Sequence, residues 1–323
     1  IGKLSSVILV VVWIAFGAGN VFGAGKYPER PITFIVQSSA GGGSDIFART
    51  VASAVEKFKL LPQPLVVENK PGGSGAIAYA YVAGKKKDPH YLLTTTPSFL
   101  TTPLLGLTPV GLKDFTPIAN FAFDQFMLMV HVNSKYKTVQ EIVADAKANP
   151  KKVTIGGTQL GGSDSMAIYQ IEKAAGIQFN YIVFNGGGEV NAALLGGHVD
   201  MASSNPGEAL ELYKAGKVRI LGVLAEKRLA LAPEIPTMKE QGINAIFVQN
   251  RGITAPADIP PDARRILEEA FFKYTQTPIF SKYCETNMLT EAWMDGATCG
   301  RWLEQENAKY DVILKAMNVG KKK

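Results

Sequence analysis

Short apolar, β-branched runs recur along the chain. Each ends in a glycine-, proline- or serine-bearing turn, and most are followed by residues at helical spacing. Ile32 to Val36 contains no breaker and reads as a buried strand. Ser38 to Ser44 follows, with three consecutive glycines at Gly41, Gly42 and Gly43. Ile46, Ala48, Arg49 and Val51 then stand in helical register, with Ser44 or Asp45 as the expected cap of a helix running to about Phe58. Leu65 to Glu68 predicts a second strand, Asn69 to Gly75 a glycine-rich turn, Ala76 to Ala83 a helix and Tyr91 to Thr95 a third strand. Strands alternating with helices are the α/β pattern.

The alternation resumes after Phe126 to Val132, a strong apolar strand expected to cross into a second domain. Thr138 with Glu141 forms a capping box for a helix over Val139 to Ala148, stopped at Asn149–Pro150. Strands are predicted at Val153 to Gly156, Phe179 to Phe184, Val199 to Ser203 and Val218 to Val223. Helices are predicted at Ser165 to Ala175 and Glu189 to Leu195. The loop Thr158 to Asp164 repeats the first one: strand, Gly-Gly, Ser, Asp, helix. Phe247 to Thr254 is extended and expected to cross back. Asp262 is read as the cap of a helix over Ala263 to Tyr274, and a last helix spans Gly300 to Met317.

The expected architecture is therefore two α/β lobes joined by two extended crossings. Domain 1 takes residues 27–122 and 252–323, and domain 2 takes residues 123–251. A strand, a glycine turn and a helix start direct free backbone N–H groups and the positive helix end at one place, which suits an anion. Two such loops facing each other suit a carboxylate held from both sides. The first loop lacks both the dinucleotide spacing G-x-G-x-x-G and the phosphate-loop lysine. A tight structural turn is its competing reading.

Composition adds limits. The chain has 323 residues, a net charge of +6 and ordinary globular proportions, with 46% hydrophobic and 19% charged residues. Its length favours two domains, because single cores stop growing near ~250–300 residues. The tight basic clusters, Lys85 to Lys87 and Lys321 to Lys323, read as a solvated loop and a tail, and no basic helix interleaves with aromatics. Nucleic acid is not an expected partner. Lys3, the apolar run Val7 to Phe16 and the small residues up to Ala24 follow the pattern of a secretory signal over residues 1–23. An uncleaved anchor is the alternative. An exported, periplasmic protein follows, and in an oxidising compartment a disulfide between Cys284 and Cys299 is expected over two separate buried thiols.

Enzyme chemistry is poorly supplied. His90 and His198 read as surface residues and His131 as a satisfied core residue. Their spacing fits no metal motif, and G-x-S-x-G is absent. Asp45 and Asp164 read better as helix caps than as bases. No catalytic residue, metal or cofactor is expected.

The pieces YPERPITFIV, GGGSDIFAR, VVENKPGGSGA, KDFTPIANFAF, KKVTIGGTQLGGSDS, FNGGGEVNAALLGGHVDM, EKRLALAPEIPTMKEQGI and GITAPADIP run in order along almost the whole chain after the leader. Together they resemble the periplasmic solute-binding proteins of tripartite tricarboxylate transporters, the TctC-like or Bug family. The resemblance implies two Rossmann-like lobes joined by two crossing strands, akin to type II periplasmic binding proteins. It implies Venus-flytrap closure on a small carboxylate (a di- or tricarboxylate or related organic acid) and delivery to membrane permease subunits. A monomer is expected. A sensor subunit binding the same ligand, or an enzyme on this scaffold with Asp45 or Asp164 as base, is the rival.

Carried onto this sequence, the resemblance implies first-lobe contacts at Ser38, Ser39, Ala40, Gly41, Gly42, Gly43, Ser44 and Asp45, with Thr96 and Ser98. Second-lobe contacts fall at Thr158, Gln159, Gly161, Gly162 and Ser163, then Asn185, Gly186 and Gly187, then Asn205 and Pro206. Two stretches depart from the family. Gln37 to Gly42 replaces P-[FY]-x-P-G-G, and Asn250–Arg251 replaces an aromatic pair. Arg251 is the cation that the sequence places near a crossing. Its guanidinium suits a second ligand carboxylate, the alternative being a structural ion pair or solvent.

Overall fold

The computed structural model describes residues 27–158, 160–184, 186–229 and 231–317. The leader, Gln159, Asn185 and the terminal lysines lie outside the described residues.

The first strand, β1 (Ile32–Val36), alternates cleanly across its sheet. Ile32, Phe34 and Val36 join one hydrophobic cluster, and Ile35 joins the other. It leads through the glycine turn into α1 (Gly43–Phe58), then β2 (Leu65–Asn69), α2 (Ala76–Ala83), β3 (Tyr91–Thr95) and α3 (Ser98–Leu104). β1 pairs in parallel with both β2 and β3, so the chain steps outward and then back across its own first strand. A long strand, β4 (Phe115–Gln125), closes this half.

The second half repeats the plan. After β5 (Met127–His131) and α4 (Val139–Ala148) come β6 (Thr154–Thr158), α5 (Ser163–Ala175), β7 (Asn180–Phe184), α6 (Gly187–Leu195), β8 (Met201–Ser204), α7 (Pro206–Lys214) and β9 (Val218–Val223). β6 pairs in parallel with β7 and β8, the counterpart of β1 with β2 and β3. The chain returns through β10 (Val248–Pro256), followed by α8 (Pro261–Thr275), α9 (Pro278–Asn287), β11 (Thr290–Asp295) and α10 (Gly296–Ala316). The sheets run β11-β4-β10-β3-β1-β2 and β7-β6-β8-β5-β9.

Two crossings connect these lobes side by side. β4 and β10 pair antiparallel from Phe115↔Pro256 to Gln125↔Val248, and Asn205 of the second lobe donates to the Gln125 carbonyl at 3.2 Å. The switch of sheets falls between Gln125, the end of β4, and Met127, the start of β5.

Several expectations are met residue for residue. Thr138 and Glu141 form the expected capping box on α4. Others are corrected. Neither Ser44 nor Asp45 caps α1: Gly42 is the N-cap, and Asp45 instead accepts from the Gly41 N–H at 2.9 Å. Asp262 gives way to Pro260 at the cap of α8. His90 is buried rather than exposed, packed edge-on to Tyr27 and bonded to Asp88. His131 is half-exposed at the end of β5.

Cys284 and Cys299 are both free and buried, so the expected disulfide is not formed. Cys284 on α9 belongs to the cluster with Phe34 and Val36, whereas Cys299 on α10 belongs to the cluster with Ile35 and Leu93. The sheet stands between the two thiols, and a disulfide tolerates only ~4.4–6.8 Å between Cα atoms. Among the described residues no helix is long and apolar enough to cross a membrane.

Candidate ligand-binding site

In both lobes the parallel strands end at the same place, where the chain steps across its first strand. Open α/β sheets bind ligands at such a switch point. A cavity of about 540 Å³ lies there, between the carboxyl ends of β1 and β3 on one side and β6 and β8 on the other.

The structure brings most of the expected residues to its wall. Ser38, Ser39, Ala40, Gly41, Gly42, Gly43, Ser44, Thr96 and Ser98 line it from the first lobe. Thr158, Ser163, Gly186, Gly187 and Asn205 line it from the second, and Arg251 from the crossing strand. Asp45, Gly161, Gly162 and Pro206 are not in the wall. Gln37, Phe126, Asp164, Gly188, Glu189, Ser203, Ser204, Glu208 and Gln249 line it without having been singled out as contacts. Ser203 and Ser204 carried a readable signal, since they end a parallel strand. Glu208 carried none, because the helix that bears it, α7, was not recognised.

The first lobe holds its loop by a hydrogen-bonded web centred on Gln37. The Gln37 amide donates to Ser44 Oγ at 3.2 Å and Thr96 Oγ1 at 3.3 Å, and its carbonyl accepts from Thr94 Oγ1. Ser98 Oγ lies 2.9 Å from Thr96 Oγ1 and 2.7 Å from the Tyr79 hydroxyl. Gln37 stands where the family pattern has proline, so a side-chain amide ties β1 to β3. Asp45 turns away beneath the loop. Burial pushes its carboxyl up, but hydrogen bonds from Arg49, the Gly41 N–H and Asn69 outweigh this and hold it below the ordinary range.

The second lobe handles its aspartate differently. Asp164 accepts from the Thr158 N–H at 2.9 Å and from Thr158 Oγ1, with no cation paired to it among the described residues. Burial drives its carboxyl above the ordinary range despite those hydrogen bonds. Gly157 is what lets the helix approach, because a Cβ there would lie 2.8 Å from the Asp164 Cβ.

Glu208, on the first turn of α7, reaches across the cleft. Its Oε1 accepts from the Gly43 N–H at 3.2 Å, at the start of α1 in the other lobe. Its Oε2 occupies the space that a side chain on Gly187 would need. Burial and the neighbouring Asp164 push the Glu208 carboxyl up to about 7, against the pull of Arg251 and the Gly43 N–H.

At the floor, Arg251 is paired with Asp124, both side chains being almost fully buried, and Gln249 donates to the same carboxylate at 3.3 Å. The guanidinium also packs against Gly43, whose Cβ would lie 2.6 Å from Arg251 Nη2. Arg251 is thus in the cleft, but a structural carboxylate already engages it. Among the described residues no group of three or more His, Cys, Asp or Glu side chains could hold a metal ion.

Comparison with known proteins extends these observations. The family described as tripartite tricarboxylate transporter family receptor matches residues 47–319. A UPF0065 protein of the gbd 5′ region of Cupriavidus necator is 31% identical over 301 residues, covering 92% of this chain and 90% of that protein. A Rhodopseudomonas palustris protein solved with adipate superposes with a TM-score of 0.85 at 23% identity, covering 91% of this chain and 99% of that one. MatC from Rhodopseudomonas palustris, solved with malate, superposes with a TM-score of 0.81 at 21% identity over 89% of this chain and 100% of its own.

Proposed function

This chain belongs to the tripartite tricarboxylate transporter receptor family, and from that premise we propose that it is a periplasmic solute-binding protein. In this reading it captures a small organic carboxylate between its lobes and hands it to the membrane permease subunits of a transporter of that type. It acts as a monomer and performs no covalent chemistry.

The observation that carries the reading is the cavity between the two glycine loops. Two of its hydroxyls, Ser38 Oγ and Ser204 Oγ, are buried without a hydrogen-bond partner. Buried polar atoms are nearly always partnered, so these await a ligand or water. The cleft also accepts carboxylate oxygens, since Glu208 already sits on the Gly43 N–H. Structural relatives solved with malate and adipate support the same ligand class. Of the two bases of the enzyme rival, Asp45 is tied by three donors and lies outside the cavity wall, whereas Asp164 lines the cavity and accepts from the Thr158 N–H and hydroxyl.

Closure of the lobes about the β4–β10 ribbon would present the loaded form to the permease. A thermal-shift screen over about a hundred carboxylates tests the reading, with stabilisation of ~2.7 kcal/mol expected at a hundredfold excess over Kd. A screen in which no carboxylate shifts the melting temperature would overturn it.

A further inference from the structure

The charges around the cavity do not suit a ligand that is anionic at both ends. Among the described lining residues Arg251 is the sole Lys or Arg; it pairs with Asp124, and its remaining pull falls on Glu208. The pair is internally neutral, and the remaining ionisable lining groups, Asp164, Glu189 and Glu208, are all acids. Of these, Asp164 is held by Thr158 at the end of its own strand. Glu208 projects furthest from its own lobe, being bonded to the backbone of the other one.

The placement of Glu208 is built rather than incidental. Gly187 is side-chain-free where Oε2 lies, whereas the side-chain space at Gly43 is taken by the Arg251 guanidinium. The Gly43 N–H fixes one oxygen. A carboxylate has about four acceptor sites, and this one lines the cavity, so it can accept beyond the Gly43 N–H. Ser204 Oγ, in a residue only 4% exposed, lines the same cavity without a partner. Ser38 Oγ does so from the opposite loop.

From this arrangement we propose that Glu208 is a specificity-determining residue that receives the ammonium group of an amino-carboxylate and rejects a second carboxylate at that end of the ligand. The ligand's own carboxylate meets the Ser38 hydroxyl and the N–H groups of the loop before Gly43, while Glu208 occupies the Gly43 end of that loop. Its cationic end meets Glu208, with Asp164 behind. A dicarboxylate of the same length would bring a second anion against that acidic side with no free cation to offset it. Even with an effective dielectric near 20 and partial screening, such a contact disfavours binding by at least about tenfold. The proposal rests on the carboxylate-binding reading and deepens it.

The test uses matched ligands: 4-aminobutyrate against succinate, 5-aminovalerate against glutarate, and 6-aminohexanoate against adipate. Each is titrated by calorimetry into the intact protein, its Glu208→Gln variant and its Glu208→Asp variant at pH 8. The wild type should prefer the amino-carboxylate of at least one pair by tenfold or more. Glu208→Gln, which keeps the shape and removes the charge, should lower that affinity about tenfold and raise that of the matched dicarboxylate. Glu208→Asp should retain the order of preference. A wild-type preference for the dicarboxylate, or a preference unmoved by Glu208→Gln, would overturn the proposal and leave carboxylate binding standing. Failure of the wild type to bind any member of the panel or of the wider carboxylate screen would sink both readings. A melting curve for each variant separates lost charge from lost fold.

Discussion

The chain spells nearly the same loop twice, GGGSD at Gly41 to Asp45 and GGSD at Gly161 to Asp164, and the two aspartates have opposite electrostatic fates. Four residues beyond Asp45, on the same helix face, stands Arg49, whose Nε lies 3.0 Å from the carboxylate. Four residues beyond Asp164 stands Ile168, which is buried in the hydrophobic core. Positions i and i+4 are neighbours on a helix. One helix therefore supplies a counter-charge from its next turn and the other supplies hydrocarbon. Asp45 is held below its ordinary range and lies under the loop, while Asp164 is pushed above it and faces the cavity. A repeated motif predicts a repeated backbone path. Its charge state is set by residues outside the motif.

The comparison assumes that the floor between the loops is neutral, and the largest expected effect tests that. Arg251→Met should cost ~3–5 kcal/mol in urea unfolding, because it leaves the Asp124 carboxylate buried without its partner. The double variant Arg251→Met with Asp124→Leu should recover most of the loss. A single-variant cost below ~1 kcal/mol would mean that Asp124 is neutral beforehand and that Arg251 brings net charge to the cleft.

Replacing the two aspartates should give a smaller and unequal pair of effects. Asp45→Asn weakens a site that holds a charge with three donors and should cost ~1–3 kcal/mol. Asp164→Asn removes a charge that burial already opposes and should cost under ~1 kcal/mol. Equal losses would break the contrast between the lobes.

An effect of comparable size is expected in pH dependence, and its sign differs between the lobes. The Glu208 carboxyl rises from an ordinary 4.5 to about 7 on folding, so the folded state keeps a proton that the unfolded chain has released. Its stabilising contribution is full below pH 4.5 and is lost as pH rises toward 7. After discounting for the open side of the cleft, the loss should be ~1–2 kcal/mol. Asp45 works the other way, its contribution present above the ordinary 3.8 and lost as pH falls through the lower folded value. Urea midpoints at pH 5 and pH 7.5 should show the Glu208 slope in the wild type and a flatter one in Glu208→Gln.

Most of the fold was legible because its signals are local. Apolar strands bounded by glycine and proline located β3 at Tyr91–Thr95 and β9 at Val218–Val223, and helical spacing located α2 at Ala76–Ala83. α7 was missed because Asn205 and Pro206 read as the end of the preceding strand, whereas proline in the first turn of a helix is favourable. The cleft loops were legible as glycine-rich strand ends. What they contain was less so. Glu208 meets Gly43 across 165 residues of chain, and Arg251 meets Asp124 across 127. No sequence period encodes either distance. His90 was misread for the same reason, since Tyr27 packs against it only once β1 and β3 lie side by side, Asp88 being its local partner.

The closed Asp124–Arg251 pair also bears on how a solute arrives. A cleft with an exposed cation would draw anions in from beyond the Debye length, ~8 Å at physiological salt, and its capture rate would fall as salt rose. Here the cation is buried against its own carboxylate, and the other ionisable groups among the described lining residues are acids. The cleft lining itself therefore offers anionic solutes no exposed cation among the described residues, and any salt dependence of capture comes from the chain's net charge of +6, so discrimination takes place after entry, in the rate of escape.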